Sequence, residues 1–292
     1  MAAMTLIDGV LADTVPVSDR GLLYGDGVFE TLVYRQQQLP FLSAHLQRLQ
    51  RSCEQLGIAV QIDDIRHHLD TLLAGLPEIP QTSHDGVVKI IVTRGDGGRG
   101  YAPAASARSR NLVQFHPMPA DYAGFARDGI ACMLCRHPVS VNRALAGIKH
   151  LNRLDQVMAS RELAEAQSGV AIDDPSLREG LMFDGQGNLV EGTRSNVFVV
   201  IDGQLCTPDL SEAGVSGIMR GALLDWFAGQ GVAVSVRAIA ASELALASEL
   251  FVCNSVMGVW PVNCVHDFST DTCLVLSEQA MARRAQQGLL SD

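Results

Sequence analysis

Thr93-Arg94-Gly95-Asp96-Gly97-Gly98-Arg99-Gly100-Tyr101-Ala102-Pro103 is the stretch on which the choice of fold turns. From Gly95 to Gly100 it satisfies GxGxxG, and it follows the β-rich run Val87-Val88-Lys89-Ile90-Ile91-Val92-Thr93. An acid, Asp121, even lies about twenty residues beyond, where a dinucleotide site would bind ribose. Such a site also requires a helix to open within the glycines, so that its N-terminus meets the pyrophosphate. Here a proline and a polar Ala/Ser/Arg stretch follow, with no apolar helical face. The stretch therefore reads as a loop carrying Arg99 towards a ligand, and a doubly wound dinucleotide fold is disfavoured.

Working outward, Val28 to Tyr34 is rich in β-formers. Ser43 is placed to cap a helix in which Leu46, Leu49, Cys53 and Leu56 recur at spacings of three and four. A second helix is expected over 65–73, and another strand at 112–115. The later chain predicts strands near 129–135, 181–183, 196–201, 232–238 and 249–253, and helices near 151–167, 217–228 and 278–287. Without regular βαβ alternation, this mixture indicates an α+β (mixed α/β) architecture. Met118 to Phe125 has proline and glycine but little periodicity. The expected division is a smaller domain over 1–118, a connection over 119–127, and a larger domain over 128–292 that carries Lys149.

Among 292 residues, 47% are hydrophobic and only 5% aromatic, which suits aliphatic cores. A net charge of −10 argues against nucleic acid as a partner. The N-terminus lacks the pattern of a signal peptide, and no stretch approaches a membrane span. Seven cysteines, odd in number and mostly in apolar surroundings, suit a reduced, cytoplasmic protein. Cys132-Met133-Leu134-Cys135 has no second pair spaced for zinc, so it is read as buried thiols. The eight histidines form no evident metal-ligand pattern either, and no metal is expected.

The chain has two lysines, Lys89 and Lys149, and any Schiff base must use one of them. Lys89 shares a strand face with Thr93 and is expected to face solvent at an edge. Lys149 lies between Ala146-Gly147-Ile148 and Leu151, beside apolar residues that would make its amine a better nucleophile and base. Glu191, between Leu189-Val190 and Gly192-Thr193, could hold a protonated ring nitrogen, although a surface acid beside a turn would look the same. Ser216-Gly217-Ile218-Met219-Arg220 reads as a helix start with Ser216 as cap and available amides at Ile218 and Met219, suited to phosphate. Arg48, expected on the exposed side of its helix, could add positive charge to that phosphate. Asn254-Ser255 closes a strand and could supply polar contacts. Amine, acid and phosphate cradle together are the parts that pyridoxal 5′-phosphate requires.

The ordered set Ser18-Asp19-Arg20-Gly21, Tyr24 to Thr31, His45-Leu46-Gln47-Arg48-Leu49, the Lys149 segment, Glu191-Gly192 with Ser195-Asn196-Val197-Phe198, and Gly217 to Arg220 resembles the class IV (fold type IV) pyridoxal-phosphate enzymes. The resemblance covers nearly the whole chain. It implies a two-domain fold like that of D-amino-acid aminotransferases, with the active site between the domains, and a homodimer. It further implies that Lys149 carries the cofactor as a Schiff base and that Glu191 faces the pyridine nitrogen. Arg48 and the Ile218 and Met219 amides would hold the phosphate, with Ser255 and Val256 also on that side. Arg99 matches a substrate-carboxylate position, and Asn152 and Arg153 fall at positions that vary among aminotransferases. Gly147 to Leu154, Thr93 to Tyr101, and Cys253 to Met257 with Pro261-Val262 are most similar to the lyase members that act on 4-amino-4-deoxychorismate. There, a threonine at the Thr31 position is implicated in proton transfer. D-amino-acid or branched-chain aminotransferases are the near alternatives, and a catalytically silent ligand-binding protein is the distant one.

Overall fold

The computed structural model describes residues 4–76, 85–98, 100–119, 121–168 and 174–289. The chain divides into two compact units, one of Met1–Ala120 with Ile148–Asn152, the other of Asp121–Gly147 with Arg153–Asp292. Lys149, expected in the larger C-terminal domain, thus groups with the N-terminal unit.

In the first unit the elements are β1 (Met4–Ile7), β2 (Val10–Leu11), α1 (Arg20–Tyr24), β3 (Gly27–Tyr34), α2 (Leu42–Leu56), α3 (Ile62–Ala74), β4 (Gly86–Thr93) and β5 (Arg110–Pro117). Among the described residues its sheet has five strands in the order β2-β1-β5-β4-β3, all paired antiparallel. Strand alternation decides the faces. Val28, Leu32, Val88, Ile90, Val92, Val113 and Phe115 are buried and pack with Leu46, Leu49 and Cys53 of α2 and Ile65, Leu69 and Leu72 of α3. Each such side chain contributes roughly 1.5–3 kcal/mol by leaving water. On the opposite face Phe29, Thr31, Val33, Lys89 and Ile91 remain half-buried.

Ser43 does not cap α2. The helix starts one residue earlier, at Leu42, after Phe41 in a left-handed conformation (φ 59°) with no side-chain cap bond. The Leu39-Pro40-Phe41 turn sets the entry, so a capping hydroxyl is not needed. The stretch beginning at Gly95 opens no helix among the described residues, and its glycines take positive φ. The backbone N–H of Arg20 donates to the Gly95 carbonyl at 2.9 Å, and its guanidinium donates to the carbonyls of Gly100 and Tyr101 at 3.1 and 2.6 Å. Arg99 lies outside the described residues.

The second unit comprises α4 (Tyr122–Asp128), β6 (Ile130–Leu134), α5 (Leu154–Ser168), β7 (Leu177–Phe183), β8 (Leu189–Gly192), β9 (Asn196–Ile201), β10 (Gln204–Pro208), α6 (Ile218–Gly229), β11 (Val234–Arg237), β12 (Ala247–Asn254), β13 (Gly258–Asp267), β14 (Thr272–Val275) and α7 (Ala280–Leu289). Its strands run in the order β11-β10-β9-β12-β13-β6-β7-β8, with β14 added to β13. Parallel pairs (β10 with β11, β13 with β6, β6 with β7) occur among antiparallel ones. This is the mixed architecture indicated by the element pattern. Phe198 and Phe251 stack on one face, against Phe227 of α6. On the other face Trp260 meets Tyr122 and Phe125 of α4 edge-on. Those two aromatics give helical order to a stretch expected to be a bare connection. No helix among the described residues is long and apolar enough to cross a membrane.

Candidate active site

In the first unit, Ile148–Asn152 lies along the start of the edge strand β3. Phe29 N–H donates to the Lys149 carbonyl and Leu151 N–H to the Gly27 carbonyl, each at 2.9 Å, and Val28 pairs antiparallel with His150. The segment thereby covers part of an otherwise open strand edge. The Lys149 Nζ is 4.4 Å from the centroid of the Phe29 ring, within cation–π range. Two residues on, Thr31 presents its side chain to the same face of β3. Asn152 Nδ2 donates to the Gly25 carbonyl at 3.1 Å. Arg153 is half-buried and belongs to the second unit.

Lys89 departs from its expected place. It lies on β4, between β3 and β5 and not at an edge. It stands opposite Thr31 in register, and its Nζ is 5.3 Å from the same Phe29 ring. Burial pushes its ammonium pKa below the usual lysine value. Thr93, expected beside it at the surface, is buried and donates to Asp19.

Arg48 also differs from expectation, being buried. Its Nε and Nη2 donate to Glu30 Oε1 and Oε2 at 2.8 and 2.6 Å, and His45 Nδ1 lies 2.6 Å from Glu30 Oε2. Spacing of three on α2 puts His45 and Arg48 on one face, and β3 parity turns Glu30 towards them. Burial alone would raise the Glu30 carboxyl, but the hydrogen bonds and charges of Arg48 and His45 outweigh it and hold the pKa low.

In the second unit Glu191 is buried on β8, with Leu189 and Val190 buried beside it. Gln156 Nε2 donates to its Oε1 at 2.9 Å, and the Val215 N–H donates to its Oε2 at 2.8 Å. Both donors suit an acceptor-only carboxylate. The loop before α6 is fastened on several sides. Gly147 N–H donates to the Gly214 carbonyl and Ser216 N–H to the Gly147 carbonyl, at 2.9 and 3.0 Å. Asn196 Nδ2 donates to the Val215 carbonyl at 2.9 Å. The N-cap of α6 is Gly217, not Ser216, and no side chain caps it. Close approach explains the glycine, since a Cβ there would lie 1.9 Å from Asn196 Oδ1. The first-turn amides, including those of Ile218 and Met219, have no carbonyl one turn back within the helix. Asn254 Oδ1 accepts from the Val256 and Met257 N–H groups at 2.8 Å each, which shapes the Ser255-Val256 turn.

Sequence reasoning passed over a second buried carboxylate, Glu179. It accepts from Thr193 N–H at 2.9 Å, Gly180 N–H at 3.0 Å and Ser195 Oγ at 2.8 Å. It thereby organises the turn between Glu191 and β9. Gln156 was missed as well, and its place on α5 gave no signal. The thiols of Cys132 and Cys135 are buried as expected, and burial lifts the latter to about 12. Cys264, His266 and Cys273 bring three potential ligand atoms within 4.8 Å of one another, a metal-type grouping that spacing along the chain did not disclose.

Each unit thus holds part of a donor set that fits pyridoxal phosphate. The first has an amine beside an aromatic ring and a hydroxyl. The second has a buried carboxylate and a helix N-terminus behind a loop that this carboxylate anchors. A model of the family "Amino-transferase class IV" matches residues 27–265. A 4-amino-4-deoxychorismate lyase from Pseudomonas aeruginosa superposes with a TM-score of 0.86 at 39% identity, over 99% of this chain and 98% of that one. An aminodeoxychorismate lyase of Vibrio harveyi is 31% identical over 260 residues, 89% of this chain and 90% of its own. A D-alanine aminotransferase of Bacillus licheniformis is 27% identical over 251 residues, 86% of this chain and 83% of its own.

Proposed function

The chain belongs to the class IV aminotransferase family, which uses pyridoxal 5′-phosphate, and we propose that it is a lyase within that family. The substrate is 4-amino-4-deoxychorismate, and the products are pyruvate and 4-aminobenzoate, a folate precursor. Atoms balance without a co-reactant. The C4 proton and the enolpyruvyl group leave the ring, the ring becomes aromatic, and the enolpyruvyl fragment takes up a proton to become pyruvate.

The observation that carries this reading is the amine and hydroxyl on one face of β3. Lys149 stands 4.4 Å from the Phe29 ring, and Thr31 follows Phe29 on that face. When bound, pyridoxal phosphate would supply an electron sink for the reacting substrate. Lys149 Nζ takes the proton from substrate C4, a step typically worth 10²–10⁴-fold. Thr31 Oγ1 relays a proton to the departing enolpyruvyl group. Glu191 holds the positive charge of a protonated ring nitrogen, its own oxygens fixed by Gln156 and Val215. The Ile218 and Met219 amides, with Ser255 and Val256, would bind the phosphate, and Arg48, paired to Glu30, would add positive charge to it. Arg99, Asn152 and Arg153 orient the substrate carboxylates. We infer a homodimer on the strength of the family resemblance.

Similarity to a D-alanine aminotransferase keeps one alternative in view. The test is to compare pyruvate release from 4-amino-4-deoxychorismate with amino transfer from D-alanine or leucine to 2-oxoglutarate. Faster release of pyruvate supports the lyase. Transamination that outpaces it, or no pyruvate at all, overturns the assignment.

A further inference from the structure

The second unit holds a group of soft and hard donors that the proposed lyase chemistry does not use. Cys264 and His266 are alternate residues of β13 and share a face. Cys273 on β14 lies directly opposite His266 in register, so its side chain joins that face. The three ligand atoms are all within 4.8 Å of one another. A fourth donor approaches from the segment before β7. Asp174 Oδ2 is 3.0 Å from His266 Nε2 and 3.9 Å from Cys264 Sγ, and His266 Nε2 is 3.4 Å from Cys264 Sγ. Tetrahedral zinc, with Zn–S near 2.3 Å and Zn–N near 2.0–2.1 Å, requires ligand-to-ligand edges of about 3.3–3.8 Å. The three separations among Asp174, His266 and Cys264 scatter around that range, and Cys273 lies within 4.8 Å of Cys264 and His266.

Supporting contacts hold the donors in place. Ser176 donates to Asp174 Oδ1 through its N–H at 2.8 Å and its hydroxyl at 2.6 Å, which leaves Oδ2 turned to the cluster. The His266 ring stacks on Phe268 at 5.9 Å. Asp267 pins the hairpin turn by accepting from the Ser269 N–H and hydroxyl at 2.9 and 2.6 Å. Such outer contacts fix first-shell ligands in protein metal sites. Cys264 and His266 are half-buried while Cys273 is exposed, so an ion has a path in.

We propose that Cys264, His266, Cys273 and Asp174 form a structural site for a zinc-class divalent cation. Two thiolates, a neutral imidazole and a carboxylate complete a four-coordinate set of the closed, structural kind. The ion ties the β13–β14 hairpin to the segment before β7. Binding releases the thiol protons, so affinity rises with pH. The same geometry could be occupied by a Cys264–Cys273 disulfide, and the experiment separates the two.

The reduced holoprotein, freed of metal by chelation and dialysis, is titrated with Co²⁺ and the visible ligand-field bands are followed. One equivalent giving the intense bands of tetrahedral thiolate coordination, displaced by Zn²⁺, is the expected result. Cys273→Ser changes an exposed residue and should leave the fold and the rate of pyruvate release intact. It should weaken Zn²⁺ binding by more than the roughly 10–100-fold that loss of an outer-shell partner costs. His266→Gln should do the same. Weak octahedral bands, unchanged affinity in Cys273→Ser, or a Cys264–Cys273 disulfide in metal-free protein isolated without reductant would each overturn the site.

Discussion

Glu30 shows how a single side chain sets the terms for its neighbours. Its carboxylate is buried with Arg48 and His45, and removing one partner of a buried pair typically costs about 3–5 kcal/mol. Glu30→Gln is expected to lower unfolding free energy by that amount in urea titration at neutral pH. The pH dependence has a definite sign. A carboxyl with a depressed folded pKa stabilises fully above its unfolded value, about 4.3, and the contribution fades as pH falls through the folded value. The wild type should therefore lose more stability than Glu30→Gln on acidification below that point. Glu191 is its counterpart in the proposed lyase. Glu191→Gln can still accept from the Val215 N–H but carries no charge. It is expected to reduce pyruvate release by about 10²–10³-fold, the scale of losing one electrostatic stabiliser, with the protein still folded by circular dichroism. Residue types and order in the chain were enough to nominate Lys149, Glu191 and Arg48. They did not disclose that Arg48 is turned inward to Glu30, because a helix arginine reads the same whether it meets water or a buried carboxylate.

Among the elements, the start of α6 depends on its surroundings more than on its own sequence. Its cap is a glycine without a side-chain bond, and the preceding loop is held by Glu191, Asn196 and Gly147. A methyl on Gly217 would lie 1.9 Å from Asn196 Oδ1, so Gly217→Ala must displace either the side chain or the helix end. The variant is expected to bind pyridoxal phosphate about tenfold more weakly, a loss of about 1.4 kcal/mol, measured by cofactor titration of the apoprotein. Unchanged affinity would remove the α6 terminus from the phosphate site. Helices and strands were legible because apolar spacing reports which face is buried. The exact caps were not, because Phe41 and Gly217 are selected by turn geometry and close approach, which spacing does not carry. The α4 helix escaped for a related reason. Its order comes from Tyr122 and Phe125 meeting Trp260, far along the chain.

For the molecule as a whole, the sequence indicated a mixed architecture with domains over 1–118 and 128–292 joined by a connection over 119–127, whereas the second compact unit takes in that connection from Asp121 onward. Less foreseeable was the return of Ile148–Asn152 to the first unit, since nothing local distinguishes a segment that closes a strand edge from one that continues a loop. Lys89 was misplaced for the same reason, as strand order across a sheet is a tertiary property. The inferred homodimer is expected to sediment at twice the chain mass, and a monomer with full activity would contradict it. The proposed activity is that of a Lys149-dependent lyase. It is tested most directly by quantifying pyruvate and 4-aminobenzoate together, from 4-amino-4-deoxychorismate incubated with wild-type protein and with Lys149→Ala. The two products should form one to one with the wild type and neither with the variant, whereas undiminished product formation by Lys149→Ala, or none by the wild type, would contradict it.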